Sequence, residues 1–147
     1  MQPRLRNPAM LIPDVMAPAQ ALGKVADQIL PETLRHLVHM RASQINGCAF
    51  CLELHHSMLK DNDTPQRLLT VAAWRDSPFF TDAEKAALAL TEAITLIAED
   101  GVPDAVWDEA ARHFSEKELA ALVVHVSVVN VWNRFNVATR QVAGSGW

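Results

Sequence analysis

Apolar residues recur at helical spacing along most of the chain. One clear example is the segment 48–60, where one face would carry Cys48, Cys51, Leu52, His55 and Leu59. Positions three and four apart lie on the same side of a helix, so this spacing is typical of an amphipathic helix. Strand-like alternation of apolar and polar residues is nearly absent. The pattern therefore predicts an all-α fold.

Caps and prolines set the expected bounds of the helices. Thr81-x-x-Glu84 and Ser115-x-x-Glu118 match the capping box that begins a helix, and Pro31 suits a first helical turn. The predicted helices span about 18–30, 31–45, 48–60, 66–74, 82–99, 103–113 and 116–139. We expect residues 1–147 to form a single domain in which residues 1–14 are an extended N-terminal arm.

Composition narrows the class of protein. The 147 residues are 50% hydrophobic and 20% charged, which suits one globular core. The net charge is -4 and the basic residues are scattered, so nucleic acid is not an expected partner. The first eighteen residues lack the apolar run of a signal peptide, and the apolar segment 119–132 is too short to span a bilayer. We expect a cytoplasmic protein with no membrane partner.

The two cysteines form a Cys48-x-x-Cys51 pair. Their sulfurs would lie one helical turn apart, where a disulfide can close and reopen by exchange. If Asn46 is the N-cap, Cys48 lies in the first turn, where the helix dipole favours a thiolate. His55 lies one turn after Cys51 and could accept its proton. These two arguments favour different sulfurs, and the residues alone leave open which one is the nucleophile.

The cysteine pair has two other interpretations that involve no redox chemistry. Cys48, Cys51 and His55 could bind zinc with His39 or His56 as a fourth ligand, or the thiols could be inert. A closed zinc site usually pairs C-x-x-C with a second pair of ligands at a distance, and no such pair is evident. We therefore favour a redox-active pair, with no metal and no cofactor.

Polar residues outside this cluster have expected roles in packing. His39 is expected at the surface, and His125 is expected as a hydrogen-bonded histidine of the core or of an interface. Helix-terminal or intersubunit hydrogen bonds are expected of Asn130, Asn133 and Arg134.

The segment 37–55, LVHMRASQINGCAFCLELH, resembles the signature of the AhpD-like alkylhydroperoxidases of the carboxymuconolactone decarboxylase superfamily. Residues 130–136, NVWNRFN, resemble that family's last long helix. The resemblance covers roughly residues 15–142 by inspection of the pattern. It implies an AhpD-like multi-helix bundle, assembly into trimers or hexamers, and reduction of organic hydroperoxides at the expense of an external dithiol reductant.

The resemblance also implies roles for four catalytic residues. Cys51 would become the sulfenic acid, Cys48 would resolve it to a disulfide, and His55 would join a proton relay. His36 stands where the family usually has a relay glutamate, and a histidine there is cationic or neutral near pH 7 rather than anionic. Phe50 stands where some members have a further relay histidine.

The sequence thus favours an antioxidant enzyme, an alkylhydroperoxidase-like oxidoreductase. The alternatives are a general dithiol-disulfide oxidoreductase and a non-enzymatic metal-binding or redox-sensing helical module. Lactone decarboxylation is disfavoured, because that branch of the superfamily does not rely on a cysteine pair. A homo-oligomer is expected because the apolar faces, above all 119–132, are broader than one small domain can cover.

Overall fold

A computed structural model describes residues 2–61, 63–97 and 101–145, and all the regular structure within them is helical. The α-helices are α1 (Pro8–Leu11), α2 (Met16–Lys24), α3 (Glu32–Asn46), α4 (Ala49–Leu59), α5 (Pro65–Thr70), α6 (Asp82–Thr95), α7 (Asp104–His113) and α8 (Glu116–Thr139), and a turn of 3-10 helix spans Val71–Ala73. None of the described helices combines the length and apolar character needed to cross a membrane. The all-α fold is confirmed.

The two predicted capping boxes begin the two long helices. Thr81 Oγ1 accepts the Glu84 N–H over 3.2 Å, and Ser115 Oγ accepts the Glu118 N–H over 3.4 Å. Each glutamate carboxylate accepts in turn from the backbone of its cap. α8 has the predicted bounds. α6 ends at Thr95, short of the predicted end near residue 99, which lies outside the described residues.

The junction between α3 and α4 differs from the prediction in one important respect. Gly47 adopts the left-handed conformation with φ of 67° and ends α3, a position where a residue without Cβ carries little steric penalty. The N-cap of α4 is Cys48 itself, whose Sγ accepts the Cys51 N–H. Asn46 was wrongly predicted as this cap. It is the last residue of α3, because its side chain is held by α8.

Other element bounds differ by smaller amounts. α2 ends at Lys24 and is followed by turns, and Pro31 is the N-cap of α3 rather than a first-turn residue. The predicted helix 66–74 divides into α5 and the 3-10 turn. Within residues 1–14, Pro8–Leu11 form a short helix because Asn7 caps it by accepting the Ala9 N–H.

α3 lies at the centre of the bundle and packs against α4, α6 and α8, while α7 packs mainly on α6. The main core gathers apolar side chains from α3, α6, α7, α8 and the turns after α2. On α8 the buried apolar residues are Leu119, Ala121, Leu122, Val126, Val128 and Val129. Other helices of the same chain therefore cover most of the apolar residues of this helix. The predicted homo-oligomer stays a prediction.

Candidate active site

Cys48 and Cys51 are joined in a disulfide at the start of α4, with their Cα atoms 5.3 Å apart. Both residues are almost fully buried, with 2% and 3% of their surface exposed. The turn through Gly47 presents the pair, and the Cys48 N–H donates to the Ser43 carbonyl over 2.9 Å. The one-turn spacing in the sequence therefore places the two sulfurs within bonding distance, as predicted.

The disulfide lies between two pockets that share Asn136. The larger pocket, of about 370 Å³, contains Cys51 and is walled mostly by apolar side chains and two histidines: Leu54, Met58, Val128, Val129, Trp132, His39 and His55. The smaller pocket, of about 220 Å³, contains Cys48 and ends at Arg140 and Gln141. We call them the Cys51 pocket and the Cys48 pocket. Each sulfur is thus next to a separate opening.

Asn136 of α8 is a site residue that the sequence reasoning missed. Its side-chain amide donates to Cys51 Sγ over 3.4 Å. Its oxygen accepts from the Asn7 amide over 2.7 Å, and Asn7 is itself fixed as the cap of α1. A hydrogen-bond donor aimed at a sulfur favours the charged thiolate. The signal in the sequence was the spacing of Asn130, Asn133 and Asn136 at every third position.

His55 lies on the Cys51 side, as its spacing predicted. It lines the Cys51 pocket, and its Nδ1 is 3.2 Å from Nδ1 of His36. Burial, with repulsion from His36, lowers the pKa of His55 to about 3. His55 is therefore neutral at physiological pH in the disulfide form, and a thiolate at Cys51 would favour its protonated form.

His36 lies behind His55 rather than against the sulfurs. It is buried on α3 and does not line the Cys51 pocket. Burial lowers the pKa of His36, the Arg35 guanidinium acts in the same direction, and Glu32 opposes both. Burial thus favours the neutral form of His36, and its two ring nitrogens lie 3.2 Å from His55 Nδ1 and 3.7 Å from Glu32 Oε1.

The expectation that His39 lies at the surface was wrong. Its ring lines the Cys51 pocket, 4.7 Å from the His55 ring and 5.4 Å from the His125 ring. Burial, together with the neighbouring histidines, lowers the pKa of His39 well below its ordinary value. His125 is buried in the core, where its ring hydrogen-bonds to the Ala26 backbone, while its Nε2 has no hydrogen-bond partner among the described residues.

Asparagines on α8 tie this helix to α3 within one chain. Asn46 donates to the side-chain oxygens of both Asn130 and Asn133, over 2.9 and 2.8 Å. Asn133 also donates to Ser43 Oγ over 3.0 Å, and Arg134 donates to Asn130. Asn130 and Asn133 thus bond to the last residue of α3, which agrees with the predicted helix-terminal role, whereas the Arg134 bond lies within α8. They fix the turn that carries the cysteines against α8.

Comparison with known proteins gives matches of both sequence and fold. Residues 13–93 match the model of the carboxymuconolactone decarboxylase family. YdfG of Bacillus subtilis (strain 168) is 40% identical over 114 residues, which span 77% of this chain and 78% of YdfG. YnjA of Escherichia coli (strain K12) is 34% identical over 110 residues, 74% of this chain and 60% of YnjA. Both relatives are uncharacterized proteins.

Two solved structures have the same fold. A protein of unknown function from Agrobacterium tumefaciens, described as a candidate antioxidant defence protein AhpD, superposes with a TM-score of 0.90 and 33% identity over 97% of this chain and 98% of its own. The debrominase Bmp8 in its apo form superposes with a TM-score of 0.79 and 23% identity, over 90% of this chain and 73% of Bmp8. At that identity the likeness to Bmp8 concerns the fold alone.

Proposed function

This chain belongs to the carboxymuconolactone decarboxylase family, and on that basis we propose that it is a thiol-dependent peroxidase that reduces organic hydroperoxides with the Cys48–Cys51 pair. The observation that carries the proposal is the position of the disulfide. One sulfur is beside an apolar pocket lined by histidines, and the other is beside a separate, more polar pocket.

The first step takes place at Cys51. The Cys51 thiolate attacks the distal oxygen of the hydroperoxide, the O–O bond breaks, the alcohol leaves with one proton, and Cys51 becomes a sulfenic acid. His55 takes the thiol proton as the Cys51 thiolate forms, because the negative sulfur favours the imidazolium, and then returns that proton to the alcohol. His36, whose Nδ1 lies 3.2 Å from that of His55, exchanges protons with His55 between turnovers. The Asn136 amide stabilises the thiolate.

The second step closes the disulfide and the third reopens it. The Cys48 thiol attacks the Cys51 sulfur, water leaves, and the pair becomes the disulfide seen in the structure. One thiol of an external dithiol then attacks Cys48 from the Cys48 pocket, forms a mixed disulfide and releases Cys51 as a thiol. The second thiol of the dithiol displaces Cys48, and the oxidised dithiol leaves. The balance is one hydroperoxide and one dithiol consumed, with one alcohol, one water and one disulfide formed.

The lining of the Cys51 pocket supports an organic rather than an inorganic peroxide. Apolar side chains from α4 and α8 form most of its wall, and about 370 Å³ leaves room for a substituent beyond the O–O group. Burial of apolar surface would contribute to the binding of such a substituent. We propose an alkyl or aryl hydroperoxide as the substrate class, and a reducing compartment such as the cytoplasm as the place of reaction.

We also propose that the chain self-associates, on evidence other than the apolar segment 119–132. Large apolar side chains are exposed outside the main core, among them Val25 (75%), Leu69 (81%) and Ile97 (64%). Association would remove such surfaces from water. Sedimentation at micromolar concentration should give a species of three or six chains, and a monomer would reject this part of the proposal.

Mass spectrometry of the reduced protein tests the proposed function. After one equivalent of cumene hydroperoxide, we expect a loss of two hydrogens that maps to a Cys48–Cys51 peptide, with one equivalent of cumyl alcohol formed. A dithiol should restore the mass. An unchanged hydroperoxide concentration beside fully reduced thiols would reject the peroxidase. Rapid oxidation by a disulfide but not by the hydroperoxide would favour general dithiol-disulfide exchange instead.

A further inference from the structure

Four imidazoles from three helices lie in one cluster. His36 and His39 come from α3, His55 from α4 and His125 from α8. Successive ring centroids are 5.4 Å apart from His36 to His55, 4.7 Å from His55 to His39, and 5.4 Å from His39 to His125. The proposed peroxidase chemistry uses His55 and His36. It leaves His39, at the middle of the cluster, without a role.

The His39 ring has an unusual environment for a histidine. Both of its nitrogens are buried, and neither has a hydrogen-bond partner among the described residues. A histidine ring carries one donor and one acceptor when neutral, and buried polar atoms of folded proteins are nearly always paired. The ring lies tilted against His55 and His125, so apolar packing alone does not explain its position. We infer that a His39 nitrogen binds a group that does not belong to the protein chain.

The neighbouring nitrogens have the spacing of metal ligands. One nitrogen from each of His36, His39 and His55 lies within 4.8 Å of the other two, and the His36 and His55 Nδ1 atoms are 3.2 Å apart. Two imidazoles bound tetrahedrally at roughly 2.0–2.1 Å from zinc have nitrogens about 3.3 Å apart. Closing the widest of the three separations to this spacing, by about 1.5 Å at most, would complete a three-histidine set.

The donor set suits the same purpose, since a neutral imidazole offers one nitrogen lone pair to a metal. No carboxylate belongs to the set, which favours metals that accept nitrogen ligands over magnesium or calcium.

We propose that His36, His39 and His55 form a binding site for one divalent transition-metal ion of the class that prefers imidazole, with Zn²⁺, Cu²⁺ and Ni²⁺ as its members. The site opens toward the Cys51 pocket, which His39 and His55 both line. It differs from a zinc site built on the C-x-x-C pair, because its ligands are histidines alone. The proposed metal site does not depend on whether the chain is a peroxidase. A bound ion would also withdraw His55 and His36 from proton transfer.

The test uses two forms of the full chain in which sulfur cannot bind the metal. One is the oxidised protein with its disulfide intact, and the other is Cys48→Ser/Cys51→Ser. After removal of metals with a chelator, Zn²⁺ is titrated by calorimetry and Cu²⁺ by electron paramagnetic resonance. We expect one Zn²⁺ per chain in both forms and a copper spectrum with hyperfine splitting from several nitrogens.

Two substitutions locate the site. His39→Gln should weaken Zn²⁺ binding by at least about a hundredfold, because one of three ligands is lost. His56→Ala removes an exposed histidine of α4 that follows His55, so Zn²⁺ binding by this variant should match that of the parent protein. Circular dichroism verifies that each variant is folded. If His39→Gln does not fold, the histidine ring resonances of the unsubstituted protein serve instead, and those of the three rings should shift together with Zn²⁺.

Three results would overturn the proposal. One is the absence of binding in the oxidised protein. The second is binding that His39→Gln and His56→Ala affect equally. The third is binding confined to the reduced, unsubstituted chain, which would assign the ion to the thiols. A peroxidase assay with and without Zn²⁺ keeps the two functions separate, since metal binding without peroxidase activity would reject only the latter.

Discussion

The two sides of the disulfide differ in both size and chemistry. The Cys51 side is an apolar pocket that His39 and His55 also line, and the Asn136 amide donates to the Cys51 sulfur. The Cys48 side is a smaller pocket lined by Arg140 and Gln141. One cysteine of the disulfide therefore lines an apolar pocket, and the other lines a pocket with a cationic side chain. Under the proposed function, oxidant and reductant need not compete for one entrance.

The largest effect is expected from removing the proton acceptor on the Cys51 side. His55→Ala should slow disulfide formation with cumene hydroperoxide by about a hundredfold, within the usual range for a general base. Reduction of the disulfide by dithiothreitol should change little, because that reagent approaches Cys48. Stopped-flow measurement of both half-reactions verifies this, with His56→Ala as the matched control. Equal slowing of both half-reactions would mean that oxidant and reductant do not react on different sides of the disulfide.

Acid should destabilise the Cys51 side through its neutral histidines. An unfolded histidine titrates near pH 6.5, whereas the pKa of folded His55 is lowered to about 3. The contribution of neutral His55 to the free energy of unfolding is therefore fully present above about pH 6.5 and is lost as the pH falls toward its folded-state pKa. For His55 alone the free energy of unfolding should fall by about 2 kcal/mol between pH 7.5 and pH 5.

Urea denaturation at these two pH values, with a chelator present, measures this loss. Glu84 and Glu92 have lowered pKa values, so their contributions are lost only below their unfolded pKa of about 4.5, outside this window. His55→Gln should lose about 2 kcal/mol less than the parent protein over the same interval. The same loss in both proteins would show that His55 is protonated in the folded state at pH 5.

Asn136, which lines both pockets, should lower the pKa of the Cys51 thiol. Asn136→Ala removes the amide donor at the sulfur and should raise the pKa of the Cys51 thiol by about one unit, slowing peroxide reduction about tenfold at neutral pH. Asn7→Ala leaves that amide in place but frees it to turn, and should act in the same direction with a smaller effect. Thiol titration by ultraviolet absorbance gives the values. An unchanged pKa in Asn136→Ala would remove this residue from the site.

The smallest effect is expected on the Cys48 side, from Arg140. Arg140→Asn keeps a residue that tolerates the left-handed conformation, since φ is 56° there, and removes the cation. Reduction of the disulfide by dihydrolipoate, which carries a carboxylate, should slow about threefold at low salt, with little change for neutral dithiothreitol. Equal rates for the two reductants in both proteins would leave the Cys48 pocket without charge selectivity.

Features fixed by local chemistry could be predicted from the sequence. The bounds of α8 follow from the Ser115 capping box at one end and the continuous apolar periodicity to the other. The approach of the two sulfurs and the position of His55 follow from helical spacing, and both are seen in the structure. Each of these features depends on residues within one or two helical turns.

Features that depend on packing between helices could not be predicted. His39 faces the Cys51 pocket only because α3 lies between α4 and α8, and its own helix does not reveal which side is covered. The Asn136–Cys51 contact joins residues 85 positions apart. Asn46 was misassigned as a cap because its partners, Asn130 and Asn133, come from α8. A resemblance to known proteins suggested His36, but only the packed structure places it behind His55.

The central claim is that oxidant reaches Cys51 and not Cys48, and trapping the sulfenic acid tests it most directly. Reduced Cys48→Ser and Cys51→Ser are each treated with one equivalent of cumene hydroperoxide and dimedone, and the adduct is mapped by mass spectrometry. We predict a stoichiometric adduct at Cys51 in Cys48→Ser, since no resolving thiol remains, and a slow or absent reaction in Cys51→Ser. An adduct at Cys48 in Cys51→Ser, with none at Cys51 in its counterpart, would contradict the account.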